Sequence, residues 1–145
     1  MKGLIQRVSQ GQVDVDGVTV GQISTGILLL LGVERDDDEA RADKLLHKVQ
    51  NYRIFSDNQG RMNLSLKDTG GELLVVSQFT LVADTAKGMR PGFSRGATPS
   101  EGERLYEYFV NQAKAAGLTV QTGRFGANMQ VGLTNDGPVT FWLES

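Results

Sequence analysis

The chain has 145 residues, 39% of them apolar and 22% charged, with a formal net charge of −2, one histidine and no cysteine. One domain is expected, because two would each be too small to bury a good core. The missing cysteines exclude disulfides, thiolate nucleophiles and cysteine-based metal sites, and the lone His47 excludes any metal site that needs two histidines.

Eighteen glycines point to many turns and short strands rather than a helix bundle. The longest apolar run, Gly26 to Val33, is too short to span a bilayer, and no signal-like apolar segment follows Met1-Lys2, so a cytoplasmic location away from membranes is expected. A protein that grips RNA mainly through phosphates is usually basic, so the charge leaves room only for a small contact at one RNA end.

In chain order, Leu4 to Val8 reads as a short apolar strand. Val13 and Val15 alternate with polar residues, Asp16-Gly17 is a hairpin turn, and Val18, Val20 and Ile23 resume the alternation. Gly26 to Val33 suits a central strand covered on both faces. Asp36, Asp37 and Asp38 open a helix, with acids at its positive end, and Ala42, Leu45, Leu46 and Val49 form its buried stripe. His47 falls opposite that stripe and reads as a solvent-facing residue, which argues against a Ser-His-Asp triad.

Residues 51–55 lead into a loop at Ser56 to Gly60, Arg61 to Leu66 is a candidate short strand, and Gly70-Gly71 is a turn. Glu72 to Leu81 reads as a strand, with Gln78 and Thr80 on one face and Ser77 and Phe79 on the other. Asp84 to Thr98 is a long loop carrying Lys87, Arg90 and Arg95 against Asp84; such loops are uncommon in compact domains and often functional. Thr98-Pro99-Ser100-Glu101 is a capping box, opening a helix expected to bury Leu105, Tyr108, Phe109, Ala113 and Ala116 before Gly117 stops it. Leu118 to Gln121, Met129 to Leu133 and Val139 to Leu143 read as strands, with a turn at Asn135-Asp136-Gly137-Pro138 before the last. The pattern gives an α+β fold: a curled, barrel-like sheet, mixed or largely antiparallel, with two main helices.

No Walker A sequence and no dinucleotide-type glycine fingerprint is present. The remaining candidates are polar groups at strand ends. Ser77-Gln78-Phe79-Thr80 reads locally as a plain strand end, and Asn135 to Thr140 as a plain turn whose Gly-Pro bond can take the cis form at modest cost. Lys87 to Phe93 reads either as a solvated loop or as a contact for a phosphate or an RNA end.

Taken in order and at these spacings, Met1-Lys-Gly-Leu-Ile-Gln-Arg-Val8, Gly26 to Gly32, Ser77-Gln-Phe-Thr80, Phe125-Gly-Ala-Asn-Met129 and Asn135-Asp-Gly-Pro-Val-Thr140 resemble the D-aminoacyl-tRNA deacylase family over essentially the whole chain. Each motif alone is weak; the ordered set is specific. The resemblance implies a homodimer with two active sites at the subunit interface. The catalytic segment Ser77, Gln78, Phe79 and Thr80 of one subunit would face Gly137 and Pro138 of the other. That Gly-Pro bond would be cis and act as a chiral filter, within a substrate-binding group that includes Asn135, Val139, Thr140 and Met129. The implied substrates are D-aminoacyl-tRNA and glycyl-tRNA mischarged on tRNA(Ala), with L-aminoacyl esters rejected. No cofactor and no metal is expected.

The basic loop, with Lys87, Arg90 and Arg95, is the candidate contact for the tRNA end. Backbone N–H groups around Phe79 and Thr80 would stabilise the oxyanion, and Gln78 would orient the substrate. Thr80 is the candidate nucleophile, yet no side-chain base in the motifs could activate it, so attack by water assisted by the 2′-hydroxyl of the terminal adenosine fits the residues better. Two other readings stay open. One is a peptidase or esterase acting on free D-amino acid derivatives; the other is a non-enzymatic nucleic-acid module, against which the charge and the lack of an aromatic-basic stripe both speak.

Overall fold

In the computed structural model, which describes residues 1–145, the first strand is longer than its sequence pattern indicates. β1 runs unbroken from Lys2 to Val15 and is the hub of the sheet. β2 (Val18–Ile23) and β3 (Gly26–Gly32) share one of its edges, pairing antiparallel with its later and earlier parts. β8 (Gln130–Glu144) runs antiparallel along the other edge. β8 carries β1 past Ser9 and Gln10, where β3 has ended and β2 has not yet begun. The Asp16-Gly17 turn has both residues at positive φ, 50° and 78°, as a two-residue hairpin requires.

Beyond residues 33–71, β6 (Glu72–Ser77) adds to β3 in parallel, and β7 (Thr119–Thr122) adds to β6 in parallel. The sheet curls until β2 meets β7: a Cβ added at Gly21 would lie 2.2 Å from the Thr122 carbonyl oxygen. Only glycine permits that approach, and the result is a mixed, nearly closed barrel. β3 is buried on both faces. Leu28 joins Leu74, Val76, Val8, Val13 and Ile23 inside the barrel, while Ile27, Leu29 and Leu31 join Leu73 and Val75 beneath the helices.

α1 (Glu39–Asn51) begins one residue after its N-cap, Asp38, whose carboxylate accepts the Arg41 N–H at 2.9 Å. Its buried stripe is Ala42, Leu45, Leu46 and Val49, and His47 is exposed. Asp37 does not serve the helix. It turns inward, fully buried, and accepts from the Met1 ammonium at 2.7 Å and from the Glu34 N–H at 2.6 Å. Glu34 takes a second contact from the same ammonium at 2.8 Å.

β4 (Phe55–Ser56) and β5 (Met62–Leu64) form a small hairpin, so the strand expected over residues 61–66 is shorter. Leu66 instead starts the one-turn helix α2 (Leu66–Thr69), because Ser65 and Asp68 cap it reciprocally. α3 (Pro99–Ala115) starts after Thr98, as expected, but the Glu101 carboxylate binds Arg104 rather than closing the box. Its buried face also differs from expectation. Gly102, Leu105, Tyr106, Phe109, Val110 and Ala113 are inside. Tyr108 is only half-buried and its hydroxyl donates to Asp43 at 2.9 Å, while Ala116 is exposed at the C-cap. The helix turns toward the cleft beside β6, which draws in Tyr106.

Asp37→Ala is expected to lower stability by about 3–5 kcal/mol, because it leaves a buried ammonium short of its closest partner. Asp37→Asn, which keeps an acceptor, should cost less. Urea unfolding of the three proteins checks the order.

Candidate active site

β6 ends at Ser77, not at Leu81 as the alternation indicates. The reason is loss of ladder partners. β7 runs out opposite Val75, and the Gln78 N–H makes its bond to the Leu31 carbonyl at 2.8 Å as β3 closes at Gly32. From there the chain winds into a 3-10 turn over Phe79–Val82, which buries Val82. The turn removes the expected sharing of faces, yet Gln78 and Thr80 still touch: Gln78 Nε2 donates to Thr80 Oγ1. The N–H groups of Phe79 and Thr80 open the turn. They precede its first bond, from Leu81 N to Gln78 O at 3.2 Å, and so have no partner within it.

Ser77, Gln78 and Phe79 form one rim of a cleft of ≈ 460 Å³. Its lining includes Leu31 and Val76 from the sheet, Val33 just after β3, Tyr106 from α3, and Phe125 and Met129 from the segment before β8. No carboxylate, lysine, arginine or histidine lines it. The one titratable group is Tyr106, whose burial pushes its pKa up to about 12, so it stays protonated. Its hydroxyl donates to the Val75 carbonyl at 3.1 Å and its ring packs on Phe125 at 5.7 Å. Such a cleft can hold a flat apolar group and offer amide N–H groups to an oxygen. It supplies no side-chain acid or base at neutral pH.

The Asp84 to Thr98 loop is pinned at its base. Asp84 and Gly92 exchange backbone bonds of 2.7 and 2.9 Å, Arg35 N donates to Arg95 O at 2.9 Å, and Ala97 N donates to Val33 O at 3.1 Å. Lys87 and Arg90 sit at its exposed tip and form no ion pair, whereas Arg95 reaches back to Asp84 at 3.6 Å. The three cations are therefore not equivalent.

The segment from Asn135 to Thr140 is not a turn between two strands. β8 is one strand, and the segment is a wide bulge within it: Asn135 stands opposite Val8 and Thr140 opposite Gln6. Residues 136–139 thus face Arg7 alone. The Asn135 side chain replaces the missing ladder, accepting the Val139 N–H at 2.8 Å and donating to Thr140 Oγ1 at 2.7 Å. Arg7 holds the bulge from below. Its Nε donates to the Asp136 carbonyl at 2.9 Å and its NH1 to the Ile54 carbonyl at 2.7 Å. Gly137 has φ 136°, a conformation that favours glycine, and the Gly137-Pro138 peptide is cis.

Gly137, Pro138 and Thr140 are exposed and Val139 is buried. Of the expected substrate-binding group only Met129 lines the cleft; Gly137 and Pro138 do not. A single chain therefore presents the two motifs apart. Arg7 was not foreseen. Its only signal in the sequence is a charge set in the apolar run Leu4 to Val8.

A family model described as D-Tyr-tRNA(Tyr) deacylase matches residues 4–144. A D-aminoacyl-tRNA deacylase from Pseudoalteromonas translucida is 67% identical over 143 residues, 99% of each chain. One from Aeromonas hydrophila is 65% identical over 144 residues, again 99% of each. Among solved structures, a c-Myc DNA unwinding element binding protein superposes with a TM-score of 0.95 at 38% identity, covering 100% of this chain and 99% of that one. A probable eukaryotic D-amino acid tRNA deacylase, at 20% identity and TM-score 0.79 over 99% and 98% of the two chains, shares the fold.

Arg7→Lys keeps the charge but cannot reach both carbonyls with a planar fork. It should lower stability by about 1–3 kcal/mol and speed amide hydrogen exchange at Gly137 and Val139. Unfolding and exchange measured together check this; unchanged exchange would remove Arg7 from the support of the bulge.

Proposed function

Because the chain belongs to the D-Tyr-tRNA(Tyr) deacylase family, we propose that it is a carboxylic ester hydrolase that cleaves the bond between a D-amino acid and the 3′-terminal adenosine of tRNA. The observation that carries the mechanism is a cleft rimmed by Ser77, Gln78 and Phe79, free of any side-chain base, with the Phe79 and Thr80 amides opening the turn beside it. Water adds to the ester carbonyl, with the substrate's own 2′-hydroxyl assisting. The Phe79 and Thr80 N–H groups hold the oxyanion. The bond to the 3′-oxygen breaks, a proton ends on that oxygen, and the products are free amino acid and tRNA. Gln78 orients the ester. Thr80 receives a hydrogen bond from Gln78 and has no group nearby to take its proton, so it is a support and not the nucleophile.

The chiral filter needs a second copy of the chain. Gly137 and Pro138 project from the bulge outside their own cleft, and β8 leaves its outer edge unpaired with Phe141 and Trp142 exposed. In a homodimer the Gly137-Pro138 backbone of one subunit closes the cleft of the other, within a group that Asn135, Val139, Thr140 and Met129 complete. Packed backbone holds the substrate ammonium and leaves room for a hydrogen or a D side chain, while an L side chain overlaps it. Glycine, with two α-hydrogens, passes the same filter, so glycyl-tRNA mischarged on tRNA(Ala) is a substrate. Lys87, Arg90 and Arg95 contact the tRNA end. The protein works in the cytoplasm and needs no cofactor for this chemistry.

One tRNA charged in turn with D-tyrosine, L-tyrosine and glycine tests the proposal. Loss of the D and glycyl esters with the L ester spared is expected. Equal loss of D and L esters would remove the filter and keep the hydrolase. Loss of none would favour the nucleic-acid reading that the name of the 38%-identical neighbour suggests, visible as duplex DNA binding with a steep salt slope. Thr80→Ala should retain most activity; complete loss in a folded variant would restore Thr80 as nucleophile.

A further inference from the structure

We propose that the Phe79–Phe93 pair is a stacking platform for the unpaired 3′ strand of tRNA, receiving the nucleotide next to the one whose ester is cut. The inference rests on the deacylase reading and extends it along the RNA. Phe79 and Phe93 are 65% and 47% exposed, and their rings lie 5.2 Å apart at 52°. Phe79 lines the cleft, so the pair stands at its mouth. Phe93 is held in place from both sides. The Asp84–Gly92 exchange fixes the residue before it, and Gly96 N donates to its carbonyl at 3.2 Å.

The same loop carries Lys87 and Arg90, both exposed and without an ion pair. Its acid, Asp84, is occupied by Arg95 and by the Ala86 N–H. An apolar cleft, two fixed rings and two unpaired cations thus occur together on one loop and its neighbouring turn. Single-stranded nucleic acid is bound by this combination, with rings against base faces and cations along the backbone. A duplex hides its base faces, so the platform selects the unpaired end. The chain is acidic elsewhere, which confines its RNA grip to this place. The stripe is invisible in the sequence because its two rings come from different elements.

The test uses the full-length protein and two substrates with the same ester, D-tyrosyl-tRNA and the 3′-D-tyrosyl ester of adenosine. Phe93→Ala should raise KM for the tRNA by about 5- to 100-fold, so that kcat/KM for tRNA relative to the adenosine ester falls by the same factor. Phe93→Trp should restore the ratio, and Phe93→Leu, apolar but without a ring, should not. Lys87→Ala/Arg90→Ala should flatten the salt dependence of KM for tRNA. An unchanged ratio in an active enzyme overturns the platform alone, as does equal loss on both substrates, which makes Phe93 structural. A change in sedimentation of Phe93→Ala assigns the rings to a contact between proteins and also overturns it. A wild-type protein that cleaves neither ester overturns the deacylase reading and the platform together.

Discussion

One strand edge organises this molecule. β1 pairs along one side with β2 and β3 and along the other with β8, so every part of the sheet is referred to its register. A long two-sided ladder cannot slip without turning core residues outward. The ladder yields most opposite Arg7, where residues 136–139 bulge out before the register resumes at Thr140; smaller shifts fall between Val8 and Gln10 and between Val13 and Asp14. The guanidinium fills that interruption and ties it to Ile54, at the end of the segment that follows α1. The position of Gly137 and Pro138 is therefore fixed by the strand on which the barrel is built, rather than by a free loop.

The cleft gives little chemical help beyond position. Its single titratable side chain stays neutral. An aminoacyl ester needs no more than that if water, carbonyl and donor are held in one geometry, because orientation alone removes a large part of such a barrier. Such a cleft has no charged side chain with which to choose among amino-acid side chains, which is what the proposed backbone filter requires.

Local signals were legible where one element satisfies its own rule. The α1 stripe, the Asp16-Gly17 hairpin and the doubly buried β3 follow from spacing and composition. What depends on a distant partner was not. β1 and β8 each read as two strands, because the ladder that carries them through polar stretches lies on another part of the chain. Ser77 ends its strand because its neighbours stop, which no residue in Glu72 to Leu81 announces. Tyr106 and Val110 replace Tyr108 and Ala116 in the core because the helix faces a cleft as well as a sheet. For the site, ordered motifs pointed to Ser77–Thr80 and Gly137-Pro138 and composition to the Lys87–Phe93 loop, while Arg7 as the support of the bulge emerged only from three-dimensional contacts. The Phe79–Phe93 ring pair joins two separate elements, which no local pattern announces.

The backbone exchange between Asp84 and Gly92 separates residues 85–91 mechanically from what lies beneath. Length or composition can drift in that tip without disturbing the rings at its base or the cleft beside them. If the basic tip meets RNA as proposed, what it recognises can change while the cleft beneath keeps its shape.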